Sequence, residues 1–158
     1  MFIDVHCHLD LLKNIDKIIN NAVKNNVKII LDAGVNISTN RRAIELSSKY
    51  PEIRAALGLY PIDTLSMTEK EIDEEIEFIK ENKNKIIAVG DVGLDYKESE
   101  RKEERERQGR IFEKFIRLAL ELDKPLIIHS RKAEKECIDI LEKMGGKESY
   151  YALLFRQF

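Results

Sequence analysis

Two periodicities alternate along this chain, and that alternation restricts its fold more than any other feature. The short apolar runs Phe2–Val5, Val27–Leu31, Ile53–Leu57, Ile86–Val89 and Pro125–Ile128 each end in polar residues. They have the length and continuous hydrophobicity of strands buried on both faces. Segments of helical spacing separate them. Leu12, Ile15, Ile19 and Val23 make one stripe, and Ile72, Ile76 and Ile79 a second, with Thr68 and Glu71 in capping-box spacing just before it. Ile111, Phe115, Leu118 and Leu122 make a third, behind the charge run Glu98–Arg110, whose charges read as solvated surface. Ala133, Cys137, Ile140, Leu141 and Met144 make the last, with Gly145 and Gly146 as a natural stop. Five β-α units with short connections imply a parallel sheet covered by helices. Periodicity leaves two arrangements open, a doubly wound open sheet and part of a (β/α)8 barrel. A complete barrel usually takes about 250 residues, and this chain has 158.

The charge balance narrows the function. There are 27 basic and 29 acidic residues, for a formal net charge of −2. No basic face for nucleic acid or anionic lipid can be read from that balance, so any contact with DNA is expected to be local, at a site. No apolar run approaches the ~20 residues that cross a bilayer, so no membrane association is expected. The opening segment MFIDVHCHLD has neither a basic region nor a long apolar stretch, and no secretory signal is read there. Cys7 and Cys137 form no CxxC or zinc-finger spacing, which reads as two reduced thiols in a cytoplasmic protein.

The residues with metal chemistry sit at strand ends. The chain has three histidines. His6 and His8 follow the first strand; in extended backbone alternate side chains share a face, so both imidazoles point one way and Cys7 the other. Alone, the pair reads equally as half a divalent-metal site or as a polar strand end. His129 follows the fifth strand and Asp91 the fourth. In a parallel sheet these ends lie on one side, where α/β sites are found. Three imidazoles and a short carboxylate suit a pair of divalent ions, the carboxylate bridging and the imidazoles completing each shell. Arg131 offers a planar fork for a phosphate or carboxylate, against the alternative of an exposed helix-start arginine. Asp4 has the parity to orient the histidines. Asp10 reads as a cap of the first helix, Asp95 as structural, and Tyr60 as lining the site mouth. There is no P-loop, GxGxxG or GxSxG, and Cys7 has little support as a nucleophile.

Several segments in order resemble the TatD family of metal-dependent deoxyribonucleases, within the amidohydrolase-like hydrolases. They are Met1–Asp10, Gly58-Leu-Tyr-Pro61, Ala88-Val-Gly-Asp-Val-Gly-Leu-Asp-Tyr96, the phenylalanine-bearing stretch Gln108–Leu122 and Pro125-Leu-Ile-Ile-His-Ser-Arg131. The resemblance implies an α/β fold, the N-terminal part (about five βα units) of a TIM-type (β/α)8 barrel. It implies divalent cations as cofactors, Mg, Mn or Zn undistinguished, and DNA as the substrate, hydrolysed at phosphodiester bonds. D-aminoacyl-tRNA esters are a further substrate of some members. His6 and His8 would ligate one ion, His129 the other, and Asp91 stands where the family usually bridges with glutamate. Tyr60 stands where many members have histidine.

The family also supplies a histidine after the sixth strand and, after the eighth, an aspartate that handles the attacking water's proton; neither has a counterpart here, so the catalytic acid or base is unassigned. Residues 1–146 are expected to be the hydrolase unit, an incomplete barrel, and 147–158 an aberrant or truncated tail. The alternative is an inactive remnant with a partial metal site, exposing open barrel edges through which chains could self-associate. An amidohydrolase acting on C–N bonds fits the Gly-Asp-Val-Gly-Leu-Asp-Tyr and Ile-Ile-His-Ser-Arg segments less well.

Overall fold

The structure is a computed structural model and describes residues 1–145 and the backbone pairing of Tyr151 and Ala152. The strands are β1 (Phe2–Cys7), β2 (Val27–Ala33), β3 (Ile53–Leu57), β4 (Ile86–Asp95), β5 (Leu126–Arg131) and the short β6 (Tyr151–Ala152). The helices are α1 (Ile15–Lys24), α2 (Ile37–Lys49), α3 (Glu69–Glu81), α4 (Lys102–Leu122) and α5 (Glu134–Lys143). All pairings are parallel, and the order in the sheet is the order in the chain, β1 to β6. A doubly wound sheet reverses direction at a switch point; sequential order without reversal is barrel order. The structure therefore resolves what periodicity left open, and the chain forms part of a (β/α)8 barrel. The expected tail at 147–158 lies, apart from Tyr151 and Ala152, outside the described residues. Among the described residues no helix is long and apolar enough to cross a membrane.

The helices follow their apolar stripes. Thr68 caps α3 with both capping-box bonds made, its hydroxyl accepting from Glu71 N–H at 3.2 Å and the Glu71 carboxylate accepting from Thr68 N–H at 2.7 Å. Ile72 and Ile79 of α3 and Ile111, Phe112, Phe115 and Leu118 of α4 are buried in the main core, between the helices and the outer face of the sheet. Burying each such side chain stabilises the fold by about 1.5–3 kcal/mol. A second cluster, Leu9, Ile19, Ile30, Leu46 and Ile53, seats α1 and α2 against the first strands. A third is made of small residues. Ala33, Ala56 and Ala88 lie side by side across β2, β3 and β4, with Ile127 completing the group. Their size lets the strands curve around a narrow interior.

Two local features differ from the sequence reading. Four of the five expected strands run on past their apolar segments, β4 by six residues from Val89 to Asp95, so His6, Asp91 and His129 are strand residues, whereas His8 lies just past β1. Asp10 does not cap α1; it sits in a 3-10 turn, Leu9–Leu11, and the N-cap of α1 is Asn14. β1 is an edge strand among the described residues, with Phe2 65% and Val5 50% exposed.

A buried polar clamp ties α2 and α3 to the end of β3. Asn40 is fully buried; its amide donates to the Gly58 carbonyl at 2.9 Å and to Glu75 at 2.7 Å, and its side-chain oxygen accepts from Gly58 N–H at 3.2 Å. Glu75, itself buried, also receives the Arg41 guanidinium. Asn40→Ala takes one donor from a buried carboxylate and leaves the Gly58 carbonyl and N–H without their side-chain partner, and is expected to cost about 3 kcal/mol, read as a lower urea midpoint. A loss below about 1 kcal/mol would show that the clamp is dispensable.

Candidate metal centre

The centre begins with the tight spacing of polar residues at the end of β1. His6 and His8 face the same side, with ring centroids 4.7 Å apart and planes at 89°. Cys7, between them, packs with the second core cluster. Burial, with the Asp4 and Asp32 carboxylates, pushes its thiol up to about 11, so it is no ready thiolate nucleophile. The His8 ring is fixed from behind, Nδ1 standing 2.8 Å from the Ala33 carbonyl at the end of β2. A carbonyl only accepts, so Nδ1 carries the proton and Nε2 of the neutral ring presents its lone pair. Asp4 acts on the backbone, its carboxylate accepting from His6 N–H at 3.2 Å. Asp32, buried on β2, accepts from Leu9 N–H at 2.9 Å and so pins the turn that follows His8.

Asp91 arrives from β4. The β4–β5 register is irregular between Val89 and Val92, a device that re-aims a side chain. The Val-Gly-Asp-Val-Gly spacing has a steric reason. At Gly90 (φ +144°) a Cβ would stand 2.5 Å from the Ile127 carbonyl oxygen, and at Gly93 (φ +147°) 2.0 Å from that of His129. Only glycine fits where β4 turns Asp91 toward β1 with β5 this close. Asp91 Oδ2 lies 3.5 Å from His6 Nε2 and 3.8 Å from His8 Nε2, and the two ring nitrogens are 3.1 Å apart. Ligand atoms about 2.0–2.2 Å from one shared ion are separated by roughly 3–4 Å. These residues therefore fit a divalent cation, and they are the group among the described residues whose ligand atoms all lie within 4.8 Å.

His129 stands at the same rim but outside that group. Its Nε2 lies 3.1 Å from Asp95 Oδ2 at the end of β4, and the Tyr60 ring packs edge-on against it at 4.8 Å. Tyr60 also donates its hydroxyl to Asp95 Oδ2 at 2.7 Å. Asp95 is fully buried; Oδ1 accepts the Lys97 and Glu98 amides, and its own N–H donates to the Gln108 amide oxygen from α4 at 2.9 Å. Burial alone would raise the Asp95 carboxyl; hydrogen bonds from Tyr60, Glu98 N–H and His129 outweigh it and hold the group below the usual carboxylate range. Burial, then the Asp95 carboxylate, pushes the Tyr60 hydroxyl above its ordinary value. Arg131 ends β5 rather than starting a helix, with Nη1 3.1 Å from Glu98 and 3.9 Å from Asp95. A cavity of about 430 Å³ joins these groups. His8, Asp91 and His129 form part of its wall; Tyr60, Arg131 and the turn residues Asp10 and Leu11 also line it.

Sequence reasoning missed the holding groups. The Ala33 carbonyl has no side-chain signature. Asp95, read as structural, is also the partner of His129; its even spacing from Asp91 along β4 was the available signal. Because the folded Asp95 is more acidic than an unfolded aspartate (about 3.9), its contribution is present above that value and lost as pH falls through the lower folded one. Asp95→Asn is therefore expected to flatten the loss of urea stability between about pH 5 and 2; an unchanged slope would remove Asp95 as a source of acid sensitivity.

Comparison with known proteins agrees with this geometry. The family model described as TatD related DNase matches residues 3–156. An uncharacterised metal-dependent hydrolase of Methanocaldococcus jannaschii is 37% identical over 142 residues, covering 88% of this chain and 54% of that protein. Human deoxyribonuclease TATDN3 is 28% identical over 158 residues, covering 92% and 58%. The crystal structure of YjjV, a TatD homologue from Escherichia coli, superimposes with a TM-score of 0.81 at 26% identity, covering 94% of this chain and 57% of the other. The chain thus spans little more than half the length of these relatives. Matched along almost its whole length, and with the fold and a metal-compatible rim in place, it belongs to the TatD family of DNase-related metal-dependent hydrolases.

Proposed function

We propose that this protein hydrolyses phosphodiester bonds in DNA with one or two divalent cations, of which Mg²⁺, Mn²⁺ and Zn²⁺ are the candidates. The observation that carries this reading is the convergence of His6 Nε2, His8 Nε2 and Asp91 Oδ2 at one strand-end rim. A divalent ion there supplies Lewis acidity toward a phosphoryl oxygen and toward water. His6, His8 and Asp91 hold it, with the His8 ring kept in the ligating tautomer by Ala33. His129, which lines the same cavity, would serve a second ion. Arg131 binds a phosphate through its fork, its direction set by Glu98. With a net charge of −2 the chain meets DNA at this cavity and not over a basic face. Two free thiols, Cys7 and Cys137, support a cytoplasmic setting.

A second reading is an inactive remnant that binds metal without cleaving DNA. It is favoured by the metal group's having three members among the described residues, with His129 outside it. Titration calorimetry with Zn²⁺ or Mn²⁺, and a DNA cleavage assay with each cation, separate the two. Metal binding and cleavage that both fall more than about 100-fold in the His6→Ala/His8→Ala variant support the hydrolase. Binding without cleavage supports the remnant. Cleavage that survives the double substitution removes this rim as its source.

A further inference from the structure

Asp95 is bonded on both sides. Oδ1 takes the Lys97 and Glu98 amides and closes the turn after β4, whereas Oδ2 takes the Tyr60 hydroxyl and faces His129 Nε2. A carboxylate with four such neighbours only accepts, so the proton of that last contact sits on His129 Nε2. The neutral ring then has its lone pair on Nδ1. Tyr60 comes from the segment after β3, where its own N–H donates to the Val35 carbonyl at 2.7 Å, so the ends of β3, β4 and β5 are tied together through one carboxylate.

We propose that Asp95 and Tyr60 are positioning residues that lock His129 as the Nε2–H tautomer and make Nδ1 its ligand atom. The inference rests on the reading of His129 as part of the metal site. It explains why a side chain whose hydroxyl is 2.7 Å from Asp95 is useful at position 60. The phenol gives Oδ2 a second donor and leaves its ring edge-on to the imidazole, which limits rotation about the Cβ–Cγ bond.

Asparagine at position 95 separates this role from a structural one. Its oxygen still accepts the Lys97 and Glu98 amides, so the turn is kept. Its amide nitrogen replaces Oδ2 and donates. The Tyr60 hydroxyl reorients to accept, but His129 Nε2 accepts only by moving its proton to Nδ1.

The test is nitrogen-15 imidazole NMR of the metal-free full chain at about pH 8, where an ordinary histidine is neutral, with Zn²⁺ titration alongside. The wild-type protein is expected to show His129 protonated at Nε2, and Asp95→Asn to show it protonated at Nδ1 with Zn²⁺ affinity reduced about 10- to 100-fold. Tyr60→Phe is expected to keep the Nε2–H tautomer while broadening the His129 resonances. A wild-type His129 protonated at Nδ1 overturns the proposal, and needs no variant to fold. An unswapped tautomer in a folded Asp95→Asn protein overturns it equally. Zn²⁺ stoichiometry and affinity unchanged by His129→Ala would overturn the underlying ligand reading, a result distinguishable because the tautomer spectra do not depend on metal.

Discussion

Parallel pairing in chain order is the constraint on which everything else depends. Each strand must be followed by a crossover that returns the chain to the same starting side, so all strands end at one rim. Residues from the ends of β1, β4 and β5 that are over 120 positions apart in sequence, such as His8 and His129, thereby line one cavity. The helices make that pairing affordable. The apolar faces of α3 and α4, Phe112 and Phe115 above all, cover the outer side of the sheet, while the alanines of β2, β3 and β4 leave room within its curve.

At the rim, orientation matters as much as proximity. A histidine offers one lone pair when neutral, and a fixed acceptor on the other nitrogen decides which. The structure does this twice with different chemistry. His8 is set by a backbone carbonyl of the neighbouring strand, and His129 by a buried carboxylate. The carbonyl is neutral and comes with the strand pairing. The carboxylate is charged, and its burial is offset by four donors, from Tyr60, His129 and the Lys97 and Glu98 amides.

The metal-compatible histidines also sit at the end of an edge strand. β1 pairs with β2 alone among the described residues, and its first half is exposed. The chain compensates at the end of that strand. Leu9, buried at 1% exposure, and the Leu9 N–H bond to Asp32 anchor the segment just past His8. Among the described residues that edge is unpaired, yet the part that carries the imidazoles is fixed.

The sequence by itself determined the β-α alternation, the helix stripes with the Thr68–Glu71 cap, and which side chains stand at strand ends, because these follow from local period and hydrogen-bonding chemistry. It determined that His6 and His8 share a face, since strand parity is a property of extended backbone. Only the tertiary structure decided between barrel and doubly wound order, because strand order depends on crossovers between distant segments. Only it brought Asp91 to the histidine pair while giving His129 to Asp95. Those choices depend on an irregularity in β4, on two glycines pressed against β5, and on a backbone carbonyl, and none of these leaves a periodic trace in the chain.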